Sequence, residues 1–202
     1  LANHFAERLN CRVIPRKHYS LAKIRKEFNV DHVLVIAEKG PVLHVNGGFE
    51  FFFHLSMAEL RIKNIINGKH DHMINAMRLA PGMSVLDCTL GLATDAIVAS
   101  FVTGWKGKVT GLEISPVISL ITGYGLLNLN NKCTEITEAL RRIDVINADY
   151  NSYLRKMPDK SVDIVYFDPM FRRPVKESSN MKPLRYLADP RPLDSYSLTE
   201  AC

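Results

Sequence analysis

The chain has 202 residues, of which 47% are hydrophobic and 23% charged, so collagen-like and disordered classes are excluded. No apolar run reaches the roughly 18 residues of a membrane span, and the first residues lack the pattern of a signal peptide. The formal net charge of +5 is uneven: residues 1–80 hold 12 basic and 7 acidic side chains, and residues 81–202 hold 14 of each. This asymmetry favours a polyanionic partner.

The four cysteines form neither a C-x-x-C pair nor the spacing of a zinc site; they are Cys11, Cys88, Cys133 and Cys202. We therefore expect reduced thiols in a cytoplasmic protein. The segment His70-Asp71-His72 is a weak metal candidate, because two histidines two residues apart cannot share one face of a helix. We interpret it as a helix start or as a lip over a ligand, and we predict no metal.

Residues 1–80 predict a small, basic α+β module. Ser20 can cap a short helix, and a hairpin with strands at 33–37 and 42–45 follows it. A further strand is predicted over residues 49–53, and its three consecutive phenylalanines at 51–53 indicate that it is buried on both faces. An exposed aromatic platform for nucleic-acid bases is the alternative interpretation of these three residues.

Two further helices complete the predicted module. The sequence Ser56-Met57-Ala58-Glu59 has the pattern of a capping box, in which the serine accepts a backbone hydrogen bond and the glutamate reaches back. We expect Leu60 on the apolar face of this helix and Arg61 on its basic face. Asp71 can cap the second helix, and Pro81-Gly82 marks the predicted domain boundary.

After residue 82 the pattern changes to alternating strands and helices. The predicted strands occupy residues 84–87, 108–113, 143–149 and 161–168. Helices are predicted after the first two of these strands, and Ser115-Pro116 is a strong start signal for the second helix. This alternation predicts a parallel sheet with helices on both faces, so the expected fold class is α/β and Rossmann-like.

Each predicted strand of this sheet ends in a carboxylate; the four are Asp87, Glu113, Asp149 and Asp168. Ligands of open parallel sheets bind beyond the carboxyl ends of the strands, so we expect a binding crevice there. Glu113 is placed to accept hydrogen bonds from the ribose hydroxyls of an adenosine-containing ligand. The first loop has Gly91 as its one glycine, and Asp95 follows near the helix start, which disfavours a diphosphate. S-adenosylmethionine, which carries adenosine without phosphate, fits better.

The motifs D-C-T-L-G-L-A-T-D-A at 87–96, G-L-E at 111–113, N-A-D at 147–149 and D-P-M-F at 168–171 carry a resemblance. Residues 84–175 resemble a class I S-adenosylmethionine-dependent methyltransferase. More narrowly, they resemble the bacterial family that methylates a guanine exocyclic amine of small-subunit ribosomal RNA, while the N-terminal module resembles a related bacterial branch. The resemblance implies a methyltransferase domain over residues 81–202 and ribosomal RNA, or the small ribosomal subunit, as the partner.

The resemblance also implies which residues contact the cofactor. The expected set comprises the first strand end and loop, the next strand end, the adenine-side loop and the D-P-M-F aspartate: Asp87, Thr89, Gly91, Thr94, Asp95, Glu113, Ile114, Asp149, Tyr150 and Asp168. The chain departs from the family where Ala93-Thr94 replaces Gly-Arg and where Ile114 replaces Arg, so two basic contacts are absent.

The D-P-M-F motif is similar to the motif of enzymes that methylate planar amino nitrogens. Asp168 and the Pro169 carbonyl could accept the two amine hydrogens, and Phe171 could stack on the base. The alternative is that Pro169 kinks the loop and Phe171 packs in the core. Basic residues follow at once and are expected to contact RNA phosphates, unless they form a solvated loop; they are Arg172, Arg173 and Lys176.

Such a sheet usually has seven strands, and four are predicted here. A capping-box pattern at 197–200 starts a helix where the chain stops, and no initiator Met is present. We therefore expect a piece of a longer protein that is truncated at its C-terminal strands. A homodimer that covers the exposed edge of the sheet is a further hypothesis. The resemblance implies a methyltransferase for a base amine, guanine N2, of ribosomal RNA. The alternatives are a non-catalytic RNA-binding or assembly protein, or a methyltransferase for a small molecule or protein.

Overall fold

The computed structural model describes residues 1–169 and Thr199, which divide into two compact units, Leu1–Phe52 and the residues from Phe53 onwards. The first unit contains helices α1 (Ala2–Leu9) and α2 (Leu21–Phe28) and an antiparallel sheet of strands β1 (Val33–Ala37), β2 (Gly40–Val45) and β3 (Phe49–Phe51). The small α+β module predicted from the sequence covers residues 1–80 and so extends beyond this unit.

Local contacts explain the first unit. The Ser20 hydroxyl accepts a hydrogen bond from the Lys23 amide and caps α2, as predicted. Arg25 then fixes α2 to the sheet, because its guanidinium donates to the carbonyls of His44 and Val45. The strand predicted over 49–53 is shorter than expected: β3 ends at Phe51, which is buried, and Phe52 is 44% exposed.

The second unit contains a parallel sheet with helices on its faces. Its helices are α3 (Ala58–Ile66), α4 (His72–Met77), α5 (Thr94–Thr103), α6 (Pro116–Asn128), α7 (Thr134–Arg141) and α8 (Tyr150–Leu154). Its strands are β4 (Ser84–Asp87), β5 (Lys108–Glu113), β6 (Ile143–Asn147) and β7 (Ile164–Tyr166). The strand order is β6-β5-β4-β7, and each neighbouring pair is parallel, which is the Rossmann-like arrangement predicted from the sequence.

The predicted domain boundary at residue 80 does not coincide with the division of the contacts, which falls after Phe52. The physical reason is that α3 packs onto the parallel-sheet unit. Ala58 and Ile62 are fully buried in one hydrophobic cluster with Ile97 and Leu140 of the α5 and α7 helices. The assignment of faces on α3 also needs correction, because Leu60 is 51% exposed and the side chain of Arg61 is directed into the unit.

Several predicted boundaries are wrong in detail. The capping box is absent: α3 begins at Ala58, Ser56 has a positive φ of 50°, and Glu59 pairs with Lys63. Strand β6 ends at Asn147 and not at residue 149, while β7 covers three of the eight residues predicted for it. Within residues 1–169 and Thr199, no helix combines the length and apolarity that a bilayer crossing requires.

Candidate active site

The carboxyl ends of the four parallel strands form one rim, as the fold requires. Asp87 is the last residue of β4 and Glu113 the last residue of β5. Both side chains are buried, with 2% and 8% of their surface exposed. On the flanking strands, Asp149 and Asp168 lie two residues beyond the strand ends rather than on them. The two central carboxylates are therefore fixed by the sheet, and the two outer ones belong to loops.

The loop from Cys88 to Ala93 connects β4 to α5 and is held by hydrogen bonds to β5 and α6. Leu90 N–H donates to the carbonyl of Leu112 at 3.0 Å, and the Thr122 hydroxyl of α6 donates to the carbonyl of Gly91 at 2.7 Å. Gly91 and Ala93 both adopt the left-handed conformation, with φ of 51° and 60°. Left-handed backbone at a buried alanine is unusual, so these contacts hold the loop in a defined conformation.

Backbone amides of this loop and of the turn after β5 are engaged by carboxylates of the protein. Gly91 N–H donates to one oxygen of Glu113 at 3.1 Å, and Ser115 N–H donates to the other at 2.8 Å. Thr89 N–H donates to Asp87 at 2.9 Å. A diphosphate needs such amides for itself. A ligand with hydroxyl donors and positive charge suits these carboxylate acceptors better, which is the chemistry of S-adenosylmethionine.

The buried carboxyl of Asp87 has a strongly raised pKa. Burial raises the pKa of Asp87 to about 7, against a hydrogen bond from Thr89 that lowers it, and the charges of Asp95, Asp168 and Glu113 raise it further. A carboxylate in this position is stabilised by a cation close to the rim. The side chain is thus suited to the positively charged end of a ligand.

Asp95, in the first turn of α5, is held from two sides. Its Oδ1 atom pairs with Arg61 Nη1 of α3 at 2.5 Å, and its Oδ2 atom accepts the Tyr166 hydroxyl at 3.2 Å. Burial and the charge of Asp95 raise the pKa of Tyr166, so the hydroxyl stays a neutral donor. Sequence reasoning missed Arg61 and Tyr166, because their partners lie 34 and 71 residues away and no local pattern signals the contacts.

The segment His70-Asp71-His72 starts helix α4. Asp71 caps this helix by accepting hydrogen bonds from the amides of Met73 and Ile74, as predicted. Its two oxygens also receive the Arg61 guanidinium at 2.7 and 2.9 Å, and this hydrogen bond lowers the pKa of Asp71. The carboxylate is thus engaged by the protein itself.

The loop that the resemblance implies on the adenine side follows β6. Asp149 caps α8 by accepting a hydrogen bond from the Ser152 amide at 3.0 Å, and the ring of Tyr150 meets Phe167 edge-to-face at 5.4 Å. Asn147 at the end of β6 was not foreseen from the sequence: its amide donates to the carbonyls of Glu113 and Ile114. Asn147 therefore fixes the turn after Glu113, and the Ile114 side chain at that turn is 37% exposed.

The D-P-M-F motif is described up to Pro169. Asp168 N–H donates to the Thr89 hydroxyl at 2.8 Å, which joins the motif to the first loop. Partial desolvation of the exposed Asp168 side chain raises the pKa of its carboxyl, and the charge of Asp95 adds to the effect. The remaining predicted residues of this region, namely Phe171, Arg172, Arg173 and Lys176, lie outside the described residues.

Comparisons with known proteins agree with this geometry. A family model described as "Putative SAM-dependent methyltransferase" matches residues 45–190. The chain is 36% identical over 200 residues to "Uncharacterized protein YpiP" of Bacillus subtilis, covering 99% of this chain and 77% of that protein. It is 27% identical over 179 residues to "Ribosomal RNA small subunit methyltransferase J" of Psychrobacter cryohalolentis, covering 80% of this chain and 59% of that protein.

A solved structure gives the same fold. The SAM-dependent methyltransferase NGO1261 from Neisseria gonorrhoeae superposes with a TM-score of 0.55 at 19% identity. The match covers 78% of this chain and 66% of that one. The chain thus spans less than two thirds of the length of the Psychrobacter relative and of the Neisseria structure.

Proposed function

Because the chain belongs to the family of S-adenosylmethionine-dependent methyltransferases, we propose that its methyl acceptor is an exocyclic amino group of a base in ribosomal RNA, with guanine N2 as the position. The cofactor, when bound, supplies a methyl group activated by its sulfonium charge. The protein's own contribution is then to orient the amine and to hold it in line with that methyl group.

The rim supports an assignment of the cofactor's parts. Glu113, oriented by two backbone amides, would accept the ribose hydroxyls, while Asp149, Tyr150 and the exposed Ile114 would flank the adenine. Asp87 and Asp95 would face the cationic methionine end, together with the remaining first-loop residues of the expected set, Thr89, Gly91 and Thr94. A buried carboxylate with a raised pKa favours such a partner, since a nearby positive charge stabilises its ionised form.

The proposed position of the methyl acceptor rests on one observation, the hydrogen bond from Asp168 N–H to the Thr89 hydroxyl. It joins the backbone before Pro169 to the loop that follows β4. An exocyclic amine has two N–H donors, and the Asp168 carboxylate and the Pro169 carbonyl are two acceptors on adjacent residues. The stacking role of Phe171 stays a prediction.

The charge of the chain and the names of its relatives support an RNA acceptor. Residues 1–30 hold seven basic and two acidic side chains, a density typical of polyanion-binding surfaces. The Psychrobacter relative, 27% identical to this chain, is named for a ribosomal RNA substrate. Arg172, Arg173 and Lys176 are proposed as further phosphate contacts.

The test is transfer of a labelled methyl group to small ribosomal subunits and to naked ribosomal RNA from cells that lack this protein, followed by nucleoside analysis. The proposal expects N2-methylguanosine from the wild-type chain and a large loss with Asp168→Ala. Asp159→Ala, which changes an exposed acidic residue outside the rim, is the matched control. Cofactor binding without transfer to any RNA would favour the non-catalytic RNA-binding alternative and contradict the proposal.

A further inference from the structure

We propose that Arg61 is a positioning residue of the cofactor site, which holds the Asp95 carboxylate in the orientation that receives the cationic end of S-adenosylmethionine. The inference rests on the proposed assignment of Asp95 to that site. Arg61 lies on α3, outside all the motifs from which the site was predicted.

The guanidinium of Arg61 is fixed before it reaches Asp95. Its Nε and Nη2 atoms form a two-pronged contact with Asp71 at 2.7 and 2.9 Å, and Nη2 also lies 3.5 Å from the sulfur of Met73. Asp71 is itself held by two amides of α4. Since a guanidinium is planar and rigid, a two-pronged contact on one edge also sets the direction of Nη1 on the other.

The backbone that carries Arg61 is equally well anchored. The neighbouring Ile62 is fully buried, and α3 packs directly against α5, the helix that carries Asp95. Asp95 is then gripped between Arg61 Nη1 and the Tyr166 hydroxyl, one on each oxygen. Loss of Arg61 would leave one oxygen of Asp95 without its cation in a region that also holds Asp87 and Asp168.

A positioning role and a purely electrostatic role of Arg61 predict opposite changes in cofactor affinity when Arg61 is removed. Arg61 is a cation close to a site for a cationic ligand, so Coulomb repulsion alone would make its removal tighten binding. If Arg61 acts by orienting Asp95, its removal weakens binding. The sign of the change in affinity therefore separates the two effects.

The experiment measures binding of S-adenosylmethionine to the purified chain by calorimetry. We expect Arg61→Met to raise the Kd about tenfold or more, in the range expected for a hydrogen bond to a charged group. Arg61→Lys keeps the charge but loses the two-pronged contact, and should weaken binding in the same direction. Lys63→Met is the matched control: it removes the same charge from the same helix at an exposed residue that pairs with Glu59, and should leave the Kd within about twofold.

A double variant shows whether Arg61 acts through Asp95. The combination of Arg61→Met with Asp95→Asn should bind no more weakly than Asp95→Asn alone. Additive losses, or unchanged or tighter binding by Arg61→Met and Arg61→Lys, would overturn the role of Arg61. Thermal unfolding shows that each variant is folded, and Asp71→Asn replaces Arg61→Met if the latter unfolds. A wild-type chain that binds no S-adenosylmethionine would overturn the proposed site as a whole, which is a different result.

Discussion

Two neighbouring strand ends, Asp87 of β4 and Glu113 of β5, place a buried carboxylate at the rim, but the two carboxylates have different hydrogen-bond partners. Both carboxylates are buried at the rim, yet Glu113 accepts hydrogen bonds from the amides of Gly91 and Ser115, whereas the described contact of Asp87 is one amide, that of Thr89. Asp87 also lies among other carboxylates, and its pKa is raised to about 7. The difference indicates that the Glu113 carboxylate is held in a fixed orientation, whereas Asp87 contributes chiefly its negative charge.

Removal of Glu113 should have the largest effect. Glu113→Ala deprives Gly91 and Ser115 of their acceptor and removes the proposed ribose contact, so we expect the Kd for S-adenosylmethionine to rise about 100-fold or more. Calorimetry measures the loss. Glu138→Ala, at an exposed glutamate of α7, serves as the control. A Kd within a few-fold of wild type would show that Glu113 does not orient the ligand.

The charge at Asp87 should appear as a cost in stability. An aspartate ionises near pH 4 in the unfolded chain and near pH 7 here, so the folded state holds an extra proton between these values. The cost is therefore zero at low pH, grows as pH rises from about 4 to 7, and is complete above pH 7. The cost arises because the ionised carboxylate of Asp87 is desolvated in the folded protein and hydrated in the unfolded chain.

Replacing Asp87 by Asn tests this assignment. The melting temperature of Asp87→Asn relative to wild type should be higher at pH 8 than at pH 5 by about 4–8 °C, equivalent to roughly 2 kcal/mol. Asn keeps an oxygen for the Thr89 amide. Thermal unfolding at several pH values provides the measurement. A difference that is independent of pH would contradict the raised pKa.

Cofactor binding should share this pH dependence. Because a cationic ligand prefers ionised Asp87, the affinity of the wild-type chain should rise from pH 6 to pH 8, by up to about tenfold per pH unit below the pKa of Asp87. The ligand's own amino group also titrates near this range, and Asp87→Asn corrects for it. Equal pH profiles for the two chains would exclude Asp87 as the source.

The comparison of the two strand ends also shows what the sequence could and could not predict. The last residues of β4 and β5 were predicted correctly, because short apolar strands that end in a carboxylate are a strong local pattern. The end of β6 was placed two residues too far, since Asp149 follows the strand as a helix cap. Arg61 could not be assigned, because its role depends on two partners that only the fold brings together.

A contact of the same non-local kind supports the first loop. Gly111 of β5 faces Leu90, and a Cβ atom at Gly111 would lie 2.3 Å from the Cδ1 atom of Leu90. Gly111→Ala should therefore displace the loop, destabilise the protein by about 1–3 kcal/mol and weaken cofactor binding. Gly123→Ala in α6 is the control, since its nearest neighbour would be Val145 at 3.8 Å. Equal unfolding free energies for the two variants would show that Leu90 can move without cost.

The smallest expected effect concerns Thr89, which serves both the Asp87 strand end and the acceptor motif. Its amide binds Asp87 and its hydroxyl accepts Asp168 N–H, so Thr89→Val removes the second contact and leaves the first. We expect a cost of about 1 kcal/mol, seen as a several-fold lower kcat; because the Thr89 backbone stays in place, the Kd for S-adenosylmethionine should change less than kcat. Thr89→Ser keeps the hydroxyl and should restore kcat. If Thr89→Val instead raises the Kd and leaves kcat unchanged, the Thr89 hydroxyl acts on the cofactor. The proposed link between this hydroxyl and the D-P-M-F motif is then wrong.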